Sequence, residues 1–575
     1  MILVQGIIGF VISICVIIIS LICSCARKEV IGGATAAPLT QLQREVAREY
    51  NNLKLPTHKI PFEEFCYPRK FKLQNPQKFI AEYMAPDSPH MNLLGFHRIG
   101  AGKTCAAIQA AEMHMSKAPA SKPLIVMPAS LVPGFRNELR SPCADLKYIT
   151  EAERDELKIL KPSNPLYKEI IKRSDALIDA RYDIMSYNKF IKKGTKLNPS
   201  IMIIDEVHNV NNPTGTYYSA ISKFVRERPK MKLIVLSATP IFDRKDEIVS
   251  LLRLMRIDIT HETLNSPEQL RKTLDGLISY YAGAPEHTFP KTTIHYEVCR
   301  MGKFQSKWFK AEVEGEVKKS GKLDLKEVTN NFYAKSRAKS NIVFPHGLAG
   351  TDGLPKLSKA MMQNNLDTYS VKFAKLMKKL RKGQLSFVFS NFVGFGGIKT
   401  LVKCLRAFGY TDYRQPGSGR KFAIWSGMET PSEKNAIRKI YNSKENDDGK
   451  LIQVIIGSPA IKEGVSLLRC RQVHILDPYW NYSRLEQIYG RAVRFCSHKT
   501  LPKRERTVDI YLYIATTHKS RLTKSNFLKT RDIDPNESID GYILKLADEK
   551  RKKSGELISI MVETAVDKAL NQKNK

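Results

Sequence analysis

The sequence predicts an α/β fold of two tandem parallel-sheet lobes, joined by a basic insertion and followed by a helical tail. Three observations predict it. Short, near-continuous apolar runs recur in both halves of the chain, as strands covered on both faces require. Two of those in the first half run into groups suited to phosphate chemistry: the turn Gly100-Ala101-Gly102-Lys103-Thr104 and the carboxylate pair Asp205-Glu206. In the second half a run is followed by two arginines, Arg491 and Arg494. A length of 575 residues also asks for more than one ordinary domain.

Taken in order, residues Ile2 to Cys25 carry no charge and are dominated by Ile, Val and Leu. The run has roughly the 20 residues that span a bilayer, so 1–26 is expected to be a transmembrane segment. Arg27 and Lys28 follow directly and place the rest of the chain on the cytoplasmic side. A polar linker, 27–60, contains Gly32-Gly33 and several prolines. The first lobe is expected over 61–260, with strands at Leu93–Phe96, Leu124–Met127, Ile201–Ile204 and Leu233–Leu236. Residues 261–365 loosen into a basic stretch with Lys318, Lys319, Lys322, Lys326, Lys335, Arg337 and Lys339, read as an insertion between the lobes. Lys372, Lys375, Lys379 and Lys382 then recur at helical spacing opposite Phe373, Leu376, Met377 and Leu380, the pattern of a solvated helix face. The second lobe, 366–520, carries strands at Leu385–Ser390, Val454–Ile456, Val473–Leu476 and Val508–Tyr513. The tail, 521–575, reads as basic and helical.

The charge balance is the compositional outlier. Lys+Arg number 93 against 57 Asp+Glu, a net charge of +36, which favours a polyanionic partner. The ten cysteines include no C-x-x-C pair, so a zinc ribbon and a disulfide framework are both disfavoured and a reducing compartment is expected.

The segment His97, Arg98, Ile99, Gly100, Ala101, Gly102, Lys103 and Thr104 has the makings of a nucleotide-phosphate loop between a strand and a helix over Cys105–Met115. Its glycines allow backbone N–H groups to converge on anionic oxygens; Lys103 would neutralise the terminal phosphates and Thr104 would hold Mg²⁺. His97 stands where the usual eight-residue pattern begins with glycine. Asp205 ends a strand, where it would share the metal with Thr104, and Glu206 would orient and deprotonate the attacking water. Arg491 and Arg494, three apart, would share a helix face with Gln487 and compensate charge on the γ-phosphate from the second lobe. His208 is read as a coupling or packing residue. A metabolic kinase with the same phosphate loop is disfavoured, because it has no use for a second lobe carrying this arginine motif.

These motifs, in this order, resemble helicase superfamily 2, which implies two RecA-like lobes and ATP hydrolysis between them. Gln77 matches the superfamily's adenine-reading glutamine, and Pro128-Ala129-Ser130-Leu131 its nucleic-acid-contacting segment. Ser237-Ala238-Thr239-Pro240 matches the segment that couples hydrolysis to strand binding. Ser237 and Thr239 carry that likeness, as do Glu463 and Gly464 in the second-lobe coupling motif Gly457–Gly464. Within the superfamily the chain resembles the Swi/Snf-like ATPases of large DNA viruses, the poxvirus nucleoside triphosphatase I and early transcription factor small subunit family. Asn331-Phe332-Tyr333 with Arg337 and Asn341–Pro345, His474–Asn481, and Gly490-Arg491 through Ser497-His498 carry that likeness over about 70–520.

The resemblance implies an ATP- and Mg²⁺-dependent helicase or translocase on nucleic acid, DNA favoured and RNA the alternative. It implies a role in viral transcription beside a viral RNA polymerase or transcription-factor subunit, in virion and host cytoplasm. Residues 2–25 suggest in addition a membrane-tethered form whose ATPase acts as a nucleic-acid clamp.

Overall fold

A computed structural model describes residues 38–56, 60–98, 100–119, 122–241, 244–320, 332–461, 465–530 and 532–571. The segment expected to cross a membrane, with Arg27, Lys28 and Gly32-Gly33, lies outside the described residues, as do Ile99, Lys322, Lys326, Asn331, Glu463 and Gly464. Among the described residues, no helix is long and apolar enough to span a bilayer.

Six strands make the first sheet: β1 (Asn92–His97), β2 (Leu124–Met127), β3 (Asp183–Ser186), β4 (Ile201–Asp205), β5 (Lys232–Ser237) and β6 (Ile278–Tyr281). Their order is β3-β2-β4-β5-β1-β6, with every neighbouring pair parallel. Seven make the second: β7 (Lys291–Arg300), β8 (Ser386–Phe389), β9 (Tyr410–Asp412), β10 (Arg420–Trp425), β11 (Val454–Gly457), β12 (Gln472–Ile475) and β13 (Thr507–Thr516). That sheet is also parallel, in the order β7-β13-β12-β8-β11-β10-β9. The central strands β2, β4, β5, β8, β11 and β12 are buried along their whole length, which is why they read as unbroken apolar runs.

The stretch 261–365 is not an insertion between finished lobes. Strand β6 closes the first sheet beside β1, and β7 forms the edge of the second by pairing with β13 along ten residues. Both were hidden because their residues alternate or are polar, as in Lys291-Thr292-Thr293-Ile294-His295, and the basic composition around them dominated.

The solvated lysine stripe is also corrected. Helix Val371–Lys379 buries Lys372 completely, and its ammonium pairs with Asp540 at 2.7 Å. Lys372 also donates to Asn341 Oδ1 (2.9 Å), Ser340 Oγ (3.0 Å) and the Leu476 carbonyl (2.8 Å). Asn341 Nδ2 donates in turn to Asp477 Oδ1 (2.8 Å), and the Arg337 guanidinium lies 5.2 Å over Trp480. Two separated stretches of the viral-type signature therefore meet in one buried polar node.

Nor is the tail an appendage. Helix Ile539–Glu563 puts Ile539, Ile543 and Leu546 into the second lobe's core, then Leu557, Ile560 and Met561 into the first lobe's. At 25 residues it is about 37 Å long, enough to bridge both. Beyond it, Val566 N donates to Ile278 O on β6 at 2.7 Å.

Against the expectation of no disulfide framework, two cysteine pairs are bonded: Cys66 with Cys496 and Cys105 with Cys143. Sequence separations of 430 and 38 leave no local spacing signal for either.

Candidate active site

Parallel sheets present the carboxyl ends of their strands along one edge, and the predicted motifs of the first lobe collect there. Strand β1 ends at His97 and the chain turns through Gly100 (φ 82°) and Gly102 (φ 75°) into helix Lys103–Lys117. Both glycines use the left-handed region that side chains disfavour. At Gly102 space forbids more: a Cβ would sit 2.2 Å from Gln77 Nε2.

Gln77 braces this turn. Its Nε2 donates to the Gly102 carbonyl (3.2 Å) and its Oε1 accepts from Gln74 N (2.9 Å), so both ends of the amide are engaged with the protein. His97 is anchored to the first sheet through one ring nitrogen. The imidazole is fully buried, its Nε2 lies 3.1 Å from Ser279 Oγ, and burial drives its pKa down to about 3, so it is neutral. Ser279 Oγ donates to Asp567 Oδ2 (2.7 Å), and Asp567 Oδ1 accepts from Tyr280 N (2.9 Å). The root of the loop is thus tied to a residue beyond the C-terminal helix, a link no sequence pattern signalled.

Asp205 ends β4 and is buried; its Oδ1 accepts from Glu206 N at 3.0 Å. Glu206 takes φ 53°, which turns its side chain out of the strand direction, and Tyr187 OH supports the turn by donating to the carbonyls of Asp205 (2.7 Å) and Glu206 (3.2 Å). The Glu206 carboxylate lies 3.9 Å from Lys103 Nζ and 3.3 Å from His208 Nδ1. His208 Nδ1 is also 3.3 Å from Ser237 Oγ, which accepts from Thr239 N (3.0 Å). Ser237 and Thr239, expected to couple hydrolysis to strand binding, are therefore linked through His208 to the expected water-activating carboxylate.

The second lobe completes the cluster. Burial alone would raise the Glu206 pKa, yet Lys103, His208, Arg491 and Arg494 together hold it below the ordinary carboxylate range. Burial lowers the Arg494 pKa, and the Glu206 charge works against that shift. The arrangement of the arginines differs from the expected single helix face. The helix Tyr482–Tyr489 carries half-buried Gln487 and stops at Gly490, leaving Arg491 and Arg494 on the turns that follow. There the Arg491 carbonyl accepts from Leu467 N (2.9 Å), and Arg494 Nη2 donates to the Val465 carbonyl (3.4 Å). Phe495, the next residue, lies against Gly100 of the phosphate loop, as does Phe289 from the β6–β7 connection.

Two buried polar atoms of this cleft, Thr239 Oγ1 and Arg494 Nε, have no hydrogen-bond partner among the described residues. With the glycine cradle and a helix N-terminus they fit an anionic nucleotide. Thr104, in the first turn of that helix, and Asp205 supply hard oxygen ligands of the kind Mg²⁺ takes. Arg98 follows β1 and donates its backbone N to Tyr281 O at 3.1 Å.

Lobes, loop and charge cluster together define a nucleoside-triphosphate hydrolase whose site is completed across a cleft. The chain matches the SNF2-related domain over residues 76–346 and the helicase conserved C-terminal domain over residues 371–496. A protein of Acanthamoeba polyphaga mimivirus named as an ATP-dependent RNA helicase is 41% identical over 501 residues, covering 82% of this chain and 87% of that one. A protein of Invertebrate iridescent virus 3 named as a helicase is 28% identical over 583 residues, 91% of this chain but 56% of its own length. A termination factor NPH-I homolog of African swine fever virus is 25% identical over 518 residues, 74% of this chain and 69% of that one. The solved Sulfolobus solfataricus SWI2/SNF2 ATPase core in complex with dsDNA aligns over 76% of this chain and 86% of its own at 15% identity, with a TM-score of 0.29, too low to bear on the fold. This chain belongs to the SNF2-related ATPases of helicase superfamily 2, alongside helicases of large DNA viruses, and it is an ATP-hydrolysing enzyme.

Proposed function

We propose that the protein is a nucleic-acid-stimulated motor that translocates on DNA during viral transcription. The observation that carries this reading is the Glu206 cluster, where one carboxylate is held charged by Lys103 from its own lobe and by Arg491 and Arg494 from the other. In the proposed reaction Glu206 takes the proton of the attacking water on a carboxylate oxygen while Lys103 and the arginines offset charge on the phosphoryl group. Mg²⁺, held by Thr104 and Asp205, supplies further charge compensation when bound. Because the arginines belong to the second lobe, loading and losing the γ-phosphate changes how firmly the lobes are held together.

Nucleic acid would cross both lobes, meeting the first at exposed Ala129 and Ser130 after β2, attracted by the net charge of +36. DNA is favoured by the SNF2-related match, and RNA is the alternative that the mimivirus relative's name suggests. A transcriptional role beside a viral polymerase is supported by the likeness to a termination factor homolog. We place the protein in virion and host cytoplasm, with residues 2–25 as its membrane tether.

The test is ATP hydrolysis by the full chain with no nucleic acid, single-stranded DNA, duplex DNA and RNA in parallel. Stimulation by duplex DNA is the expected result. Stimulation by RNA alone would move the track to RNA, and indifference to all three would overturn the motor reading.

A further inference from the structure

We infer that Cys66 and Cys496 form a reversible redox latch between the lobes, a modification site for a small disulfide oxidant. The inference rests on reading the cleft as one that opens and closes with each turnover. Cys66 ends the helix Phe62–Cys66, which joins the first lobe through residues 67–74; Cys496 follows Arg494 by two residues in the second lobe. Their sulfurs are bonded, with Cα atoms 5.4 Å apart.

Further contacts beside the bond join the two segments. Lys499 Nζ donates to the Cys66 carbonyl (2.9 Å), and Tyr67 OH donates to the Lys499 carbonyl (2.9 Å). Arg506 lies 3.8 Å over the Phe62 ring. On the other side, Cys496 N donates to the Thr288 carbonyl (2.9 Å), and Cys496 takes φ 50°, a left-handed conformation uncommon for a residue with a side chain. Phe495, between the bonded cysteine and the arginine, sits with its ring centroid 6.4 Å from Phe65 and 6.3 Å from Phe289. The bond therefore fastens the turn that carries Arg494 at the place where the second lobe touches the phosphate loop.

The chemistry is ordinary thiol–disulfide exchange. Cys496 is the more accessible of the two, and Cys66 is buried. The Cys496 thiolate attacks the oxidant's disulfide, forming a mixed disulfide and releasing one thiol. The Cys66 thiolate then attacks the Cys496 sulfur and displaces the oxidant's second thiol. The two cysteines lose two electrons and two protons, and the oxidant leaves as two thiols. The bond Cys105–Cys143 joins two parts of the first lobe only and leaves the cleft free. Oxidised at Cys66–Cys496, the cleft stays closed and turnover stalls at reopening; reduced, it cycles.

The experiment compares the full chain after treatment with dithiothreitol and with oxidised glutathione. Peptide mapping, steady-state ATP turnover and small-angle scattering without nucleotide are the readouts, for wild type and Cys66→Ser. The expected result is a mapped Cys66–Cys496 bond, at least a fivefold fall in turnover, a smaller radius of gyration, reversal by dithiothreitol, and no such response in Cys66→Ser. Failure of the bond to form, a bond that changes neither turnover nor dimensions, or a Cys66→Ser protein that responds like wild type would overturn the latch. If the reduced wild type hydrolyses no ATP, the motor reading falls, and the mapping and scattering still decide the latch by themselves.

Discussion

At the scale of single residues, the cluster around Glu206 makes distinct predictions for each member. Glu206→Gln removes the proton acceptor but not the cradle, so the variant is expected to bind ATP and not turn it over; wild-type hydrolysis rates would remove Glu206 from the chemistry. Arg494→Ala is expected to keep nucleotide affinity while losing turnover by about 10³–10⁵-fold, the range of an arginine finger, and single-turnover kinetics separate the two effects. Asp567 carries a different kind of prediction. Burial raises its pKa from the ordinary carboxylate value to about 6. A carboxyl raised on folding binds its proton more tightly in the native state, so its contribution is full below the unfolded pKa and is lost as pH rises through about 6. Wild type should therefore lose on the order of 3 kcal/mol relative to Asp567→Asn between pH 4 and pH 7, measured by urea unfolding of both proteins. Lys103 and the Asp205-Glu206 pair stood out in the sequence because they follow apolar strands, and Arg491 and Arg494 because they close the motif that begins at Gln487. Asp567, Ser279 and Tyr187 did not, since each acts through long-range hydrogen bonds that leave no local pattern.

At the scale of elements, the fully buried strands announced themselves and the half-buried or edge strands did not. Strand β9 is three residues long and β3 begins and ends with partly exposed polar side chains, so neither carries an apolar run. The helix Tyr482–Tyr489 illustrates the opposite error: spacing alone placed Arg491 and Arg494 on one face, whereas the helix ends before both. Helix Val371–Lys379 was recognised as a helix, but a lysine at a helical position says nothing about whether an aspartate waits opposite it. Lys372→Met would leave Asp540 buried without its partner, and burial already pushes that carboxyl above its ordinary range. The expected loss is about 3–5 kcal/mol in the urea midpoint analysis, with part of it recovered in Lys372→Met/Asp540→Leu. A loss no larger in the single variant than in the double would show that the pair is dispensable.

At the scale of the whole molecule, the two lobes share one structural member. The C-terminal helix is rooted in the second lobe up to Ala547 and in the first from Leu557 onward, and Gly555 lies in the span between. A Cβ at 555 meets nothing within 4 Å. Gly555→Ala should therefore raise stability by about 0.5–1 kcal/mol through helix propensity alone, read as a higher melting temperature. Any accompanying drop in nucleic-acid-stimulated ATP turnover would show that the motor uses bending at this point.

That shared member also sets the order in which the protein is made. A ribosome emits the first lobe's strands early, but Leu557, Ile560, Met561 and Val566, which fill that lobe's two cores, emerge only after the second lobe. The lobe synthesised first is thus the last to be sealed, its apolar faces waiting through the translation of some hundreds of residues. Messages truncated before the C-terminal helix should yield nascent chains that bind chaperones through the early lobe.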